Sequence, residues 1–323
     1  MTDKKLIAVV GATGSQGGGL VQAILDDGTF GVRALTRNAQ SAGAQKLAAA
    51  GAEVVEADLD DEAGLRKAFE GVHGAYVVTN YWVERTPAEE AERTRGQMEF
   101  DQAENAARAA KEAGVAHVIW STLEDTRKHF GETDRVPDVD GNYKVPHFDA
   151  KGEANELFTK YGVPTTFLQT TFYFEAMLQG MGPARDGSGK LILTLPMGDQ
   201  PLSGIAAADI GRTALGVFKR GDEFIGQTVS IAGDHLTGKE YAAALTDALG
   251  EEVTYQPYTW DEFRALGFPM AVEFANMFQY YAEDSERFTG DRDLNLVREL
   301  NPQLQSFSDW LSEHKDKVKA VTN

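Results

Sequence analysis

A glycine-punctuated turn close to the start of the sequence constrains this chain more than any other feature. An apolar run at residues 7–10 passes directly into Gly11, Gly14 and Gly17, and residues 20–25 then have the apolar spacing of a helix. In such a strand, turn and helix, backbone N–H groups point at a phosphate, and the missing side chains let a pyrophosphate approach. The sequence therefore predicts a dinucleotide site. The alternative is a tight turn in another kind of α/β protein.

Arg37 follows the second predicted strand, residues 32–36, where an NAD-binding fold carries an Asp or Glu. A carboxylate there would repel the 2′-phosphate of NADP, whereas a guanidinium binds that phosphate with two charge-assisted hydrogen bonds. Arg37, with Asn38 and Ser41 after it, therefore favours NADP(H) over NAD(H). A solvated loop arginine is the alternative interpretation.

The charge balance narrows the classes of partner. Lys and Arg number 31 against 50 Asp and Glu, so the formal net charge is −19. Such a chain lacks the basic face that nucleic acids need and is not drawn to anionic membranes. The chain has no cysteine, which excludes disulfides, thiolate catalysis and cysteine-ligated zinc, and we expect no metal site. A short polar start and no run of ~20 apolar residues predict a cytoplasmic protein.

Strands alternate with helices through the first half of the sequence. Strands are predicted at residues 7–10, 32–36, 52–57, 74–79, 117–122, 165–169 and 226–232, with helical periodicity at 88–113 and 238–249. Repeated β-α-β units predict an α/β fold with a Rossmann-type, doubly wound parallel sheet and helices on both faces. A helix that begins near residue 205 is expected to return to this sheet.

The residues just past the strand ends are candidates for the site, because ligands of such sheets bind there. Asp58 is placed to meet an adenine amino group or, alternatively, to cap the next helix. Strand four ends in a polar and aromatic cluster, Thr79, Asn80, Tyr81 and Trp82, which suits the nicotinamide-ribose region or ordinary packing. Ser121 carries a hydroxyl that could hydrogen-bond a substrate carbonyl.

A predicted helix at residues 147–153 places His147 and Lys151 four residues apart on one face. Lys151 is a candidate ligand of the nicotinamide ribose, and the alternative is a surface lysine. His147 is a candidate proton donor because imidazole titrates near neutrality, and the alternative is an ordinary helix residue. Residues 171–176 would pass over the reactive end of the cofactor. Residues 263–281 are rich in Phe, Met and Tyr, which is typical of a core and also suits a cleft roof or an interface.

The sequence resembles the NmrA-like family of atypical short-chain dehydrogenases, and within it the NADPH redox sensors. The motifs that carry the resemblance are Gly-x-Thr-Gly-x-Gln-Gly at 11–17, Arg37-Asn38, Thr79-Asn80-Tyr81-Trp82, His147-Phe148-Asp149-x-Lys151-Gly152-Glu153, Gly162-Val163-Pro164, Tyr173-Phe174-Glu175, Leu266-Gly267-Phe268-Pro269 and Ala275-Asn276-Met277-Phe278. The resemblance implies an NADP-preferring Rossmann domain over residues 1–170, with a returning segment near 203–220. It also implies a smaller α/β domain over the cleft, formed by residues 171–202 and 221–323.

The resemblance also implies, by position, which residues contact the cofactor. Together with the turn glycines, they are Gly11, Ala12, Thr13, Gly14, Ser15, Gln16, Gly17, Arg37, Asn38, Ser41, Asp58, Leu59, Thr79, Asn80, Tyr81, Lys151, Tyr173, Phe174 and Glu175.

The helix at 147–153 lacks a residue that active short-chain dehydrogenases use. They carry Tyr-x-x-x-Lys, in which the tyrosine transfers the proton, whereas this chain has His147-x-x-x-Lys151, and Tyr143 lies four residues too early. One hypothesis is therefore a non-catalytic NADP(H) sensor that regulates a protein partner. The other is an NADPH-dependent reductase, similar to the isoflavone-reductase relatives, in which Lys151 acts with Ser121 or His147 on a small carbonyl or enone substrate. Either a monomer or a homodimer is expected.

Overall fold

Strands and helices alternate along the chain, and this computed structural model describes residues 4–131 and 135–322. The strands, in chain order, are β1 (Leu6–Val9), β2 (Gly31–Thr36), β3 (Glu53–Glu56), β4 (Gly74–Val77), β5 (His117–Thr122), β6 (Thr165–Gln169), β7 (Phe172–Tyr173), β8 (Ala184–Arg185), β9 (Leu191–Leu193), β10 (Pro201–Ile205), β11 (Thr228–Ser230), β12 (Asp234–Thr237) and β13 (Val253–Tyr255).

The helices cover the described chain from the glycine turn to the C-terminal end. They are α1 (Ser15–Asp27), α2 (Ala42–Ala49), α3 (Glu62–Phe69), α4 (Pro87–Glu92), α5 (Arg95–Glu112), α6 (Arg127–Phe130), α7 (Pro146–Lys160), α8 (Ala207–Lys219), α9 (Gly238–Leu249), α10 (Trp260–Arg264), α11 (Ala271–Glu283), α12 (Ser285–Gly290), α13 (Leu294–Leu300) and α14 (Phe307–Val321), with a 3-10 helix at Phe174–Leu178.

Seven of the strands form one parallel sheet in the order β3-β2-β1-β4-β5-β6-β11. On the central strand β1, Val9 lies opposite Ala34 of β2 and Tyr76 of β4. The chain winds outward in both directions from β1, so the predicted doubly wound α/β fold is confirmed. Sheets of this kind bind ligands beyond the carboxyl ends of the strands, where the strand order reverses. Here that point lies between β1 and β4.

Helices cover both faces of the large sheet. On one face α1 packs against α8, with Leu20 and Ile210 in a buried core. On the other face α3, α5 and α7 pack together over Phe69 and Phe158. Because both faces are buried, the central strands β1 and β4 read as continuous apolar runs rather than as alternating patterns. The helix expected to return near residue 205 is α8, and it does return to this sheet.

The remaining strands form two small sheets, β12-β10-β7 and β13-β9-β8. They share a separate core that includes Phe174, Tyr241, Phe278 and Trp310. Residues 171–202 and 221–323 were predicted to form the smaller domain. The strand β11 within the second range instead pairs with β6 at the edge of the large sheet, and the rest of the division into domains stays a prediction.

The helical stretch predicted at residues 88–113 is interrupted. Helix α4 ends before Arg93, which is extended with φ −151° and ψ 124°, and α5 begins after Thr94. The Thr94 hydroxyl accepts a hydrogen bond from the Gln97 N–H at 3.2 Å, so it caps α5. The helix predicted at 238–249 is confirmed as α9, with Thr237 as its cap.

Candidate functional site

A cavity of about 1640 Å³ opens beyond the carboxyl ends of the strands of the large sheet. Single ligands occupy pockets of ~300–1,000 Å³, so this cavity has room for a dinucleotide and a second molecule. The glycine turn and Arg37 line one end. Trp82, Phe274 and Met277 line the other end. Of the site residues predicted from the sequence, all but Ala12 and Phe174 line the cavity.

The glycine turn has a shape that side chains would prevent. Gly11 has a φ of +64°, and its carbonyl accepts a hydrogen bond from the Gly14 N–H at 2.8 Å. A Cβ atom on Gly17 would collide with that same Gly11 carbonyl. No side chain caps the start of α1, so its first N–H groups and the positive end of its dipole are available to an anion. The turn fits the pyrophosphate of a dinucleotide.

Arg37 differs from the two other arginines that line the cavity. Arg85 pairs with Glu90 at 3.0 Å, and Arg93 pairs with Asp60 at 3.0 Å. Arg37 is exposed at the end of β2 and forms no ion pair with any described residue. A guanidinium without a carboxylate partner at this place fits a 2′-phosphate.

The loops after β2 and β3 complete this end of the cavity. Asn38 and Ser41 each accept a hydrogen bond from a backbone N–H two or three residues further along, at 2.9 and 3.2 Å. Asp58 does not cap the following helix, because Asp61 does so. Asp58 and Leu59 line the cavity edge, which leaves the adenine contact as the standing prediction for Asp58.

Gln16, in the first turn of α1, ties three hydroxyl groups together beneath the cavity. Its Oε1 accepts hydrogen bonds from Ser121 Oγ at 2.7 Å and from the Tyr76 hydroxyl, and its Nε2 donates to the Tyr173 hydroxyl. The hydroxyl of Ser121 thus donates to Gln16 in this structure, and its contact with a substrate carbonyl stays a prediction. Burial raises the pKa of Tyr173 to about 12, so this phenol stays protonated at neutral pH.

Lys151, on α7, forms a buried ion pair. Its Nζ lies 2.8 Å from Glu99 Oε1, where the side chains are 10% and 0% exposed. It also donates to the hydroxyl of Thr79 and to its carbonyl at 3.3 Å, and it lies 5.3 Å from the centre of the Trp120 ring. The alternative of a surface lysine is wrong. Lys151 borders the cavity, but its charge is neutralised by Glu99.

His147, one turn before Lys151, is held by a second buried carboxylate. Its Nδ1 lies 2.5 Å from Glu273 Oε1, and its backbone N–H donates to the same oxygen at 3.2 Å. Glu273 lies on α11 and is 1% exposed, and its Oε2 accepts from the Tyr81 hydroxyl at 3.3 Å. The ring of His147 lies 5.0 Å from the Trp82 ring and 6.2 Å from the Phe274 ring. His147 is therefore fixed in one orientation at the cavity wall.

Two predicted contact residues turn away from the cavity. Ala12 is fully buried in the core of the large sheet. Phe174 is fully buried, with ring centres 5.1 Å from Phe307 and 6.0 Å from Trp310. Glu175 lines the cavity, but its carboxylate already accepts hydrogen bonds from the first backbone N–H of α8 at 3.0 Å and from the Trp310 indole at 3.2 Å.

Tyr143 does not replace the missing tyrosine, as the sequence predicts. Its hydroxyl donates to Glu153 at 3.1 Å, the Arg127 guanidinium lies over its ring at 4.8 Å, and it is not part of the cavity wall. The position that a catalytic tyrosine would occupy is held by His147.

Glu99 and Glu273, the partners of Lys151 and His147, were not predicted from the sequence. Glu99 lies in a strongly charged helix, where nothing in the sequence distinguishes a buried carboxylate from the exposed ones. Glu273 is a lone acid within the Phe-, Met- and Tyr-rich segment at 263–281. A single charge in an otherwise apolar face was the available signal, because such a charge is buried only with a partner.

No group of three or more His, Asp or Glu side chains in residues 4–131 and 135–322 is arranged to hold a metal ion. None of the described helices combines the length and the apolar character that a membrane crossing requires.

Known sequences resemble this chain over nearly its whole length. A sequence profile described as the NmrA-like family matches residues 3–311. The protein lnaB of Aspergillus flavus, named an NmrA-like family domain-containing oxidoreductase, is 27% identical over 307 residues, which cover 92% of this chain and 90% of lnaB.

Known structures show the same fold. NmrA, described as a negative transcriptional regulator, has a TM-score of 0.77 at 22% identity, with 99% of this chain and 98% of NmrA covered. NmrA is also known in complex with NAD and with NADP. The NADPH-dependent quinone oxidoreductase QOR2 of Escherichia coli, complexed with NADPH, has a TM-score of 0.73 at 25% identity. The match covers 95% of this chain and 99% of QOR2.

Proposed function

The chain belongs to the NmrA-like family, and from that premise we propose that it binds NADP(H) in preference to NAD(H) and uses NADPH to reduce a carbonyl compound. The observation that carries the proposal is one continuous cavity that joins the glycine turn and Arg37 to His147. The first part of this cavity suits a dinucleotide phosphate, and the second part holds a titratable side chain among apolar ones. The relatives named oxidoreductases and the NADPH complex of QOR2 support it.

Each end of the dinucleotide has a place along this cavity. The unpaired guanidinium of Arg37 would bind the 2′-phosphate, and the free N–H groups of α1 would bind the pyrophosphate. Thr79, Lys151 and Tyr173 then border the region left for the nicotinamide ribose. Bound NADPH would supply a hydride from its nicotinamide ring.

The test is whether the purified protein oxidises NADPH. We expect loss of nicotinamide absorbance when NADPH is mixed with the protein and a panel of quinones, enones and aldehydes, with slower turnover when NADH replaces NADPH. Tight binding of NADPH, seen by fluorescence titration, together with no turnover of any acceptor would contradict the reductase proposal. Substitution of Lys151 is a poor test, because it would leave Glu99 buried and unpaired.

A second candidate function, a redox sensor that regulates a protein partner, is favoured by one observation. The residue at the position of the usual catalytic tyrosine is a histidine, and the neighbouring Lys151 is engaged by Glu99 and Thr79. In a sensor, NADP(H) occupancy would alter a partner-binding surface without turnover. NADPH binding that changes capture of a partner protein, in the absence of any NADPH oxidation, would favour this candidate.

A further inference from the structure

We propose that His147, positioned by Glu273, donates the proton to the substrate oxygen, and that the substrate is a flat, uncharged carbonyl compound such as a quinone or a cyclic enone. This inference rests on the reductase function proposed above. It assigns the step for which the chain lacks the usual tyrosine, and it names the chemical class that the apolar end of the cavity accepts.

The geometry fixes which nitrogen of His147 faces the substrate. Nδ1 is taken by Glu273 at 2.5 Å. Nε2 has no hydrogen-bond partner among the described residues, and it is not one of the fully enclosed polar atoms. Since His147 lines the cavity, Nε2 is the atom open to a ligand. A carboxylate that holds one imidazole nitrogen while the other faces the reacting group is the arrangement used for proton transfer by histidine.

Glu273 is also placed to balance a positive charge on the ring. Its side chain is 1% exposed, and its only ion pair among the described residues is with His147. It also accepts hydrogen bonds from the His147 backbone N–H at 3.2 Å and from the neutral Tyr81 hydroxyl at 3.3 Å. A buried carboxylate is costly without a cationic partner, and an imidazolium at this place would balance its charge. That form carries a proton on Nε2, which is the proton to be donated.

The step balances with NADPH as the two-electron reductant. A hydride from NADPH forms a new C–H bond at the carbonyl carbon or at the conjugated carbon, and the electron pair of the broken π bond moves to oxygen. The oxygen then takes the Nε2 proton of His147. NADPH is oxidised to NADP⁺, the carbonyl compound is reduced, and His147 is left neutral. Solvent returns the proton at the cavity mouth, where Trp82 is 44% exposed and Met270 is 41% exposed.

The side chains around His147 define the substrate class. Trp82 and Phe274 lie 5.5 Å apart between ring centres, and Met277 lies one turn beyond Glu273 on the same face of α11. Aromatic rings stack on flat ligands, and methionine adapts to them. An uncharged ring therefore fits this end of the cavity.

A negatively charged substrate would find no unpaired arginine or lysine at this end of the cavity among the described residues. Of the basic side chains that line the cavity, Arg85, Arg93 and Lys151 are already ion-paired. Arg37 follows β2, whereas His147 lies on α7, which follows β5. The two residues are therefore on opposite sides of the point between β1 and β4 where the strand order reverses. A carboxylate or sulfonate on the ring would therefore lose its hydration without gaining a counter-ion.

The experiment compares the full-length protein with H147A, H147N and E273Q. Asparagine can still donate to Glu273 but cannot transfer a proton, so H147N preserves the local hydrogen bond. The matched control is H129A. His129 pairs at 2.9 Å with Glu283, which lies on α11 as Glu273 does, and His129 is outside the cavity wall. Circular dichroism and NADPH titration show that each variant is folded and binds cofactor.

With a flat quinone or enone we expect kcat to fall by about 10²- to 10⁴-fold in H147A and H147N, with the Kd for NADPH nearly unchanged. Added imidazole should restore part of the H147A activity, which a purely structural loss would not permit. E273Q should lower kcat by a smaller factor than H147A and H147N do, without raising KM. H129A should match the unaltered protein. A sulfonated form of the same quinone should have a KM at least about tenfold higher, because its charge is unpaired.

The outcomes separate this inference from the proposed function. If the unaltered protein reduces the acceptor and both His147 variants keep their kcat, the assignment of His147 is wrong and the reductase function stands. Preference for the sulfonated quinone would overturn the substrate class. If the unaltered protein binds NADPH but reduces no acceptor, both proposals are wrong.

Discussion

Arg37 is the residue that should decide between the two nicotinamide cofactors. It lacks an ion-pair partner among the described residues, whereas Arg85 and Arg93 are engaged. We expect R37A to weaken NADP⁺ binding by roughly 10- to 100-fold, the range for a hydrogen bond to a charged group, and to leave NAD⁺ binding almost unchanged. Isothermal titration with both cofactors measures this, and K46A, on exposed α2, controls for charge alone. Equal losses for the two cofactors would contradict the assignment.

His117, at the start of β5, makes folding depend on pH. Burial lowers the pKa of His117 to about 4. Its Nε2 lies 2.8 Å from Thr166 Oγ1, which itself donates to a backbone carbonyl, so the neutral ring is the donor. The unfolded chain takes up the proton near pH 6.5, whereas the folded chain resists it until about pH 4. The stability from the neutral ring is therefore complete above pH 6.5 and is lost as the pH falls toward 4.

That loss amounts to roughly 3 kcal/mol in the free energy of unfolding. The variant H117Q keeps a donor for Thr166 but does not titrate. We expect urea denaturation at pH 7.5 and pH 4.5 to show a smaller pH-dependent loss for H117Q than for the unaltered protein. The same slope in both proteins would show that His117 does not govern this transition.

Single residues of the site differed in how far the sequence could predict them. Arg37 and Lys151 were found because their distance from a strand end or helix start fixes their place in the fold. Glu273 was not, because it reaches His147 across 126 residues, and such a contact depends on how two separate regions dock. Phe174 was misplaced because it begins the 3-10 helix after β7 and packs against Phe307 and Trp310, whereas its neighbour Tyr173 faces the cavity.

At the scale of elements, the crossing of α1 and α8 depends on glycine. A Cβ on Gly211 would collide with the backbone nitrogen of Leu20, and a Cβ on Gly19 would lie 3.0 Å from the backbone of Ala208. Alanine is favoured over glycine in a helix by up to ~1 kcal/mol, but a clash with backbone exceeds this gain. We expect G211A to destabilise the protein by about 1–3 kcal/mol or more.

The matched control is G290A, because Gly290 is also helical and a Cβ there would meet nothing within 4 Å. Thermal unfolding should show a lower Tm for G211A and an unchanged or slightly higher Tm for G290A. A G211A variant as stable as the unaltered protein would mean that α8 shifts away from α1 at little cost.

The central strands of the large sheet were predictable because burial on both faces makes β1 and β4 continuous apolar runs. The break between α4 and α5 was not, since the periodicity on both sides is helical. The residue in the sequence that marks this break is Thr94, whose hydroxyl caps α5. The place of β11 was also not predictable: a strand of three residues carries little pattern, and only its pairing with β6 assigns it to the large sheet.

At the scale of the whole molecule, a formal charge of −19 opposes the approach of an anionic cofactor. The field of the distant carboxylates reaches ~30 Å at 0.01 M salt but only ~8 Å at 0.15 M, whereas Arg37 acts at contact. We therefore expect the association rate constant of NADPH to rise with salt over this range. Stopped-flow fluorescence measures it, and a falling rate constant would show that local positive charge dominates the encounter.

The long separation of His147 from Glu273 along the chain also has a consequence for synthesis. A ribosome adds ~5–20 residues per second, so the separation of 126 positions takes on the order of ten seconds to translate. The glycine turn and Arg37 leave the ribosome well before α11 exists. A chain whose translation stops before residue 273 therefore never acquires the carboxylate that orients His147, whatever nucleotide its first strands can hold.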